Sequence, residues 1–358
     1  MTTLGVFPTI KRSTKLSQLS FHEELNNTLH NIVQAQDFGH LLFYGPPGGG
    51  KRTRIRALLK GVYEDSVSSV KIEKREFTPP VGKKVTYSVL SSNFHIELTA
   101  SGLGSSDKMI IQHVIKEMAQ CKQLNEVKQK SFKVVVIFEA DSLTKDAQHA
   151  LRRTMEKYSH NCRIIMCVDC LGRIIDPLKS RCLTIRVPSP TDSEMREALS
   201  EVVKKERTSC INDEHIELCI KKANGNMRNA LITLQTLMQQ KGEKNIIPQS
   251  YVQIVNDIAN IIATRQTKSG ILDCRKKFCE LLERCIDPPT IYKALVTQLT
   301  NLIPENVQPV IWDLALESEG RCIVGSKPIF SLESFVTQAM YEIYLSNAEL
   351  LSHIRIFE

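Results

Sequence analysis

The sequence predicts an α/β first half built on a parallel sheet, followed by an all-helical remainder. Three observations carry this. The runs "HLLFY" (40–44), "KVVVIF" (133–138) and "CRIIMCV" (162–168) are short, apolar and bounded by breakers, as buried parallel strands are. Helical spacing fills the intervals between them. Beyond the linker "VPSPTDSE" (187–194), the apolar pattern is helical throughout.

Each element has its own signal. Residues 85–98 alternate, with Val85, Tyr87 and Val89 on one face and then Phe94, Ile96 and Leu98. After "KVVVIF", Thr144 can cap a helix whose first turn holds Asp146. Ala147, Ala150, Leu151, Thr154, Met155 and Tyr158 then share one helical face, with Arg152, Arg153, Glu156 and Lys157 off it. Asn212 and Asn226 are caps for two later helices. The polar stretch "KGEKNIIPQS" (241–250) marks a further boundary, and a helix over 269–286 presents Ile271, Leu272, Phe278, Leu281, Leu282 and Cys285.

Composition narrows the classes. With 358 residues the chain accommodates two or three domains, and 42% hydrophobic residues support ordinary cores. The formal charge of +8 permits a polyanionic partner without requiring one. No run approaches the roughly 18 apolar residues of a membrane helix, and "MTTLGVFPTIKRSTK" lacks a secretory apolar core. Eleven cysteines without a secretion signal predict a reduced intracellular protein, with Cys162, Cys167 and Cys182 in core segments. Cys167 and Cys170 form a C-x-x-C without the second pair that zinc needs, so they read as core thiols and no metal site is expected.

The chemistry concentrates in four places. "GPPGGGKR" (Gly45–Arg52) lies between a strand and a helix, the setting of a phosphate-binding loop. Gly45, Gly48 and Gly50 let backbone N–H groups close around phosphates, and Lys51 reaches the β- and γ-phosphates. The next residue should be the Ser or Thr that ligates Mg²⁺, but it is Arg52. Thr53 comes one residue late, about 100° away around a helix. The strand ending "VVVIFEAD" should end in Asp-Glu, the Asp for metal and the Glu for water. If Glu139 is that Glu, Phe138 replaces the Asp. Both metal positions are therefore lost together. "KSRC" (Lys179–Cys182) places Arg181 on a loop at a sheet edge, and "GNMRNAL" (225–231) places Arg228 in the first turn of a helix, in reach of nucleotide phosphate across a domain boundary. Either arginine, alone, reads as a solvated surface group.

In this order and spacing, "GPPGGGKRTR", "FEADSLTKDAQHALRRTMEKYS", "IIDPLKSRC" and "GNMRNAL" resemble the small subunits of the eukaryotic clamp loader replication factor C, from about residue 16 to the C-terminus. The resemblance implies a RecA-like AAA+ nucleotide-binding domain over 1–187, a three-helix lid over 188–245 and a helical collar that closes a five-membered ring over 246–358. It is closest to the small subunit whose own ATP site is degenerate. It implies that Ser180, Arg181 and Cys182 serve the adjacent subunit's ATP, with Arg181 as an arginine finger in trans. Lys51 is then the P-loop lysine, Asp169 takes the sensor-1 position, usually Asn, and Arg228 takes sensor 2. "IKRS" (Ile10–Ser13) replaces the family's adenine-pocket segment.

The implied partners are the other loader subunits, the sliding clamp PCNA and primer–template DNA, in the nucleus, during replication and repair. The implied cofactor is ATP or ADP without well-coordinated Mg²⁺. Lys108 and Lys145, at helix starts, are candidates for tracking the DNA backbone, and the helix 109–121 is where the family meets the clamp. Three readings stay open: a subunit that holds nucleotide without turnover and donates Arg181, a structural ring member that binds none, and an active ATPase working through Glu139.

Overall fold

The computed structural model describes residues 16, 19, 21–35, 37–63, 69–78, 85–102, 107–120, 132–206, 211–239, 250–325 and 327–356. Two compact units divide the chain, Met1–Lys244 and Asn245–Glu358.

In the first unit, helix α1 (Glu23–Gln34) precedes strand β1 (His40–Tyr44), which feeds helix α2 (Lys51–Tyr63). Strands β2 (Lys71–Phe77), β3 (Val85–Ser91) and β4 (His95–Thr99) follow, then α3 (Asp107–Gln120), β5 (Lys133–Phe138), α4 (Lys145–Lys157), β6 (Cys162–Val168), the short α5 (Asp176–Lys179) and β7 (Cys182–Arg186). They form one seven-stranded sheet in the order β2-β3-β4-β5-β6-β1-β7. β4, β5, β6, β1 and β7 run parallel, while β2 and β3 add an antiparallel extension at one edge. The strand and helix alternation therefore yields the expected parallel sheet, and the crossover helices cover both of its faces.

Alternation along the strands assigns each residue to a face. Val135 and Ile137 join a core with Ile110, Val114 and Ile115 of α3 and with Leu151 and Met155 of α4. Val134, Val136 and Phe138 turn the other way, into a core with Ile55 and Leu58 of α2 and Leu29 of α1. Phe138 thus points to the side of the sheet on which α2 lies. Thr144 caps α4, its hydroxyl accepting from Ala147 N at 3.2 Å. Gln148 is buried on the apolar face of α4. Its amide donates to the Leu143 and Arg173 carbonyls and accepts from Ile175 N, bracing the loop before α5.

Three helices complete this unit: α6 (Asp192–Glu206), α7 (Asp213–Ala223) and α8 (Met227–Gln239). Asn212 caps α7 in a reciprocal box with His215, and Asn226 caps α8 by accepting from the N–H groups of Arg228 and Asn229. The second unit is all helix: α9 (Ser250–Thr264), α10 (Lys268–Glu283), α11 (Pro288–Leu302), α12 (Gln308–Val324) and α13 (Pro328–Ile356). Ile258, Phe278, Leu295 and Phe335 centre its core. Leu272, expected on the apolar face of α10, is 55% exposed, and Cys274 is buried there instead.

Candidate functional site

The carboxyl ends of β1, β5 and β6 lie side by side, where open parallel sheets bind ligands. The loop after β1 starts α2. Gly48 has φ 82°, and a Cβ there would lie 1.9 Å from Asn226 Oδ1, so only glycine admits the cap of α8 this close. Gly45 has φ 145° and would meet the Val187 carbonyl, while Gly50 has φ 89°. The loop is pinned from below by Arg54, which is fully buried. Its guanidinium donates to the Gly49 and Phe21 carbonyls at 3.0 Å each and lies over the Phe21 ring. Burial pulls its pKa down to about 10.

Lys51 sits at the first position of α2 and is 6% exposed. An ammonium has three N–H donors. Here they meet the Gly45 carbonyl at 2.6 Å, the Pro46 carbonyl at 2.8 Å and Asp169 Oδ1 at 2.6 Å. Asp169 follows β6, and its carboxylate pairs directly with the loop lysine. Phosphate can engage Lys51 only by taking over one of these bonds.

Arg52 and Phe138 also meet. The guanidinium carbon of Arg52 stands 4.0 Å above the centroid of the Phe138 ring, a cation–π contact. Thr53, one position on, is half-buried. Glu139 adopts the left-handed backbone conformation at φ 55°, and its carboxylate accepts from the Ser101 hydroxyl at 2.5 Å. Asp141 lies in the turn beyond it. Cys167, beside Phe138 in the β5–β6 register, is buried, and burial pushes its thiol up to about 12. That fits a core thiol, whereas Cys170 is exposed.

Arg228 stands in the first turn of α8 with an exposed side chain, two residues from Asn226 at Gly48. The structure thus brings Gly45, Gly48, Gly50, Lys51, Arg52, Glu139 and Asp169 to one rim, with Arg228 nearby on α8. Ile10–Ser13 lies outside the described residues.

Arg181 is elsewhere. It precedes β7, and Cys182 pairs with His40, the first residue of β1. The phosphate loop follows the last residue of β1, Tyr44. Four strand steps separate the two ends, about 13 Å. Arg181 therefore lies at the opposite end of the strands from the chain's own glycine loop. Its Nε donates to Glu156 Oε1 at 2.6 Å and one Nη to the Pro177 carbonyl at 2.8 Å, with a third of the side chain exposed. The bond to Arg181, then that to Arg152, holds the Glu156 carboxylate below its ordinary range.

Lys108 and Lys145, both exposed, start α3 and α4, and the structure joins those starts through the buried Asp107. Its carboxylate accepts from Lys108 N at 2.6 Å and Thr144 N at 2.8 Å. The N–H groups of Lys108 and Thr144 are therefore occupied, while both ammonium groups belong to exposed side chains. The apolar residues Ile110, Ile111, Val114, Ile115 and Met118 of α3 face the chain's own core, while Met109 is exposed.

Asn226, Ser101, Glu156 and Arg54 were not singled out from sequence as site residues. Each acts through a contact between segments distant in the chain. Local signals mark only Arg54, a cation on the apolar side of α2, and Asn226, a helix cap.

Residues 251–347 match the family model described as the C-terminal domain of replication factor C subunit 3. Residues 21–191 match the model described as the delta subunit of DNA polymerase III. Replication factor C subunit 3 of Bos taurus is 38% identical over 94% of this chain and 96% of its own length. The Homo sapiens protein of the same name is 37% identical over the same shares. Replication factor C subunit 5 of Saccharomyces cerevisiae is 37% identical over 92% of this chain and 97% of its own.

Proposed function

The chain belongs to the small subunits of the replication factor C clamp loader, and from that premise we propose that it completes a neighbouring ATP site while its own site does not turn over. The observation that carries this is the position of Arg181. It lies at the strand-start edge, four strand steps from its own phosphate loop, held by one exposed carboxylate and one carbonyl. An arginine so placed is available to a γ-phosphate brought by another subunit, where trans charge stabilisation adds about 10³ to 10⁵ in rate.

Its own loop does not fit Mg²⁺. That ion wants near-octahedral oxygen ligands at about 2.0–2.1 Å. The two positions that would supply protein oxygens present a guanidinium and an aromatic face, and Glu139 is bonded to Ser101. This argues against independent turnover through Glu139. The glycine geometry and Lys51 still form a phosphate cradle, so ATP or ADP held statically is preferred over a purely structural member.

In this reading the chain is one of five subunits that load PCNA onto primed DNA in the nucleus, for replication and repair. Residues 1–187 act as the nucleotide-binding domain, 188–245 as the lid and 246–358 as the collar. The collar role is supported by exposed apolar side chains on its helices, among them Trp312 and Leu316 on α12 and Tyr341 and Tyr344 on α13. Lys108 and Lys145 would track phosphate by side-chain charge, and Arg228 would meet nucleotide from the lid.

The test is reconstitution. Mixed with the other small subunits and a large subunit, the chain should enter a stable complex that loads a ring clamp onto primed DNA, and omission should abolish loading. Loading that proceeds equally well without it would end this reading.

A further inference from the structure

We infer that the P-loop takes its nucleotide as the free polyphosphate, with the Arg52 guanidinium as a built-in cation in the place of the metal. This rests on the reading that the pocket holds a nucleotide, and it concerns how that nucleotide's charge is met.

In a metal-using loop, the residue after the lysine and the last residue of the acidic strand share one cation between them. Here those residues are Arg52, in the first turn of α2, and Phe138, the last residue of β5. They are 86 positions apart (138 − 52), yet the guanidinium carbon lies over the ring, 4.0 Å from its centroid. Phe138 is buried and turned toward α2 by the alternation of β5. It therefore offers a fixed flat surface to the guanidinium. The two departures from the metal-binding pattern are one arrangement: a permanent cation and the aromatic surface that carries it.

The arrangement suits an anion. A guanidinium stacked on a ring has its N–H groups directed around its edge, and it stays charged. Among the described residues, no side-chain hydrogen bond or ion pair of Arg52 is formed, so its donors are not already spent. Lys51, one residue earlier, has all three donors engaged, one of them on Asp169. The two neighbouring cations thus play different parts. Arg52 is free to meet phosphate first, and Lys51 exchanges the Asp169 carboxylate for a phosphate oxygen. A divalent cation entering beside Arg52 would meet a like charge with no carboxylate from Phe138 to offset it.

The experiment is a titration of the full chain with a fluorescent ADP analogue, mant-ADP, in Mg²⁺ buffer and in EDTA. The wild type should bind with affinities within about twofold in the two buffers. Arg52→Met should weaken binding about tenfold in both, at an unchanged melting midpoint. The double variant Arg52→Thr/Phe138→Asp, which rebuilds the two metal positions, should acquire at least about a tenfold preference for Mg²⁺. Wild-type binding that falls tenfold or more in EDTA overturns the inference and leaves nucleotide occupancy standing. Absence of binding in both buffers overturns occupancy itself, and the inference with it.

Discussion

The two ends of the sheet treat their charges in opposite ways. At the strand carboxyl ends three charged groups each face a group of the chain's own, while Arg228 on α8 is exposed. Lys51 meets Asp169, Arg52 lies on Phe138, and Glu139 is held by Ser101. At the strand amino ends, Arg181 meets the exposed carboxylate of Glu156, the Pro177 carbonyl and the Ser180 hydroxyl. Exposed ion pairs hold weakly, so such a partner is easily exchanged for phosphate. In the proposed reading the first end holds nucleotide without turnover, and the second is completed by a phosphate that another subunit supplies.

The strongest way to break the comparison is to unseat the carboxyl end. Arg54→Ala removes a fully buried guanidinium and leaves the Gly49 and Phe21 carbonyls without their donor. It should cost about 3 kcal/mol, read by urea denaturation, and nucleotide binding should go with the loop. A loss under about 1 kcal/mol would show that the loop is anchored otherwise. Asp169→Asn sharpens the comparison instead. It frees Lys51 of its counter-ion while keeping the shape, so nucleotide affinity should rise about tenfold without turnover. An unchanged affinity would mean the Lys51–Asp169 pair does not compete with phosphate.

Acid should loosen both ends. Burial, more than any neighbouring charge, lowers the pKa of His22 beside Arg54, of His40 at the start of β1 and of His95 in β4. In the unfolded chain these imidazoles titrate near the ordinary 6.5. Groups neutral in the fold but protonated in the unfolded state stabilise above that value, and the contribution is lost as pH falls through and below it. The melting midpoint should drop by roughly 5 °C between about pH 7 and pH 5.5. A flat profile would place these rings in contact with water. The smallest effect belongs to Glu156→Gln, which keeps a neutral hydrogen-bond acceptor for Arg181. It should change the stimulated ATPase of the complex by no more than about threefold. A tenfold change would make Glu156 a fixed support of the arginine rather than an exchangeable partner.

Much of this was legible in the sequence where the signal is local. The apolar runs of β1, β5 and β6, the caps Thr144, Asn212 and Asn226, and the glycines before Lys51 lie in the structure where their patterns put them. Strand β2 left no such mark. Its residues are largely exposed, and charge contacts along "KIEKREF" join it to its surroundings, Arg75 to Glu73 and Glu117, and Ser91 to Glu73. Alternating hydrophobicity cannot reveal a strand that buries little. The pairing of Arg52 with Phe138 was legible only as two separate losses, because spacing along the chain carries no information about which side of β5 faces α2. The Lys51–Asp169 pair was hidden in the same way.

The most direct test of the account is the ATPase of the reconstituted loader, stimulated by clamp and primed DNA, with Arg181→Ala and Lys51→Ala compared in this chain. The account predicts that Arg181→Ala lowers turnover at the neighbouring site by about 10³-fold while Lys51→Ala changes it little. If Lys51→Ala is the damaging change and Arg181→Ala is neutral, the site at the carboxyl end is the working one, and the contrast between the two ends is reversed.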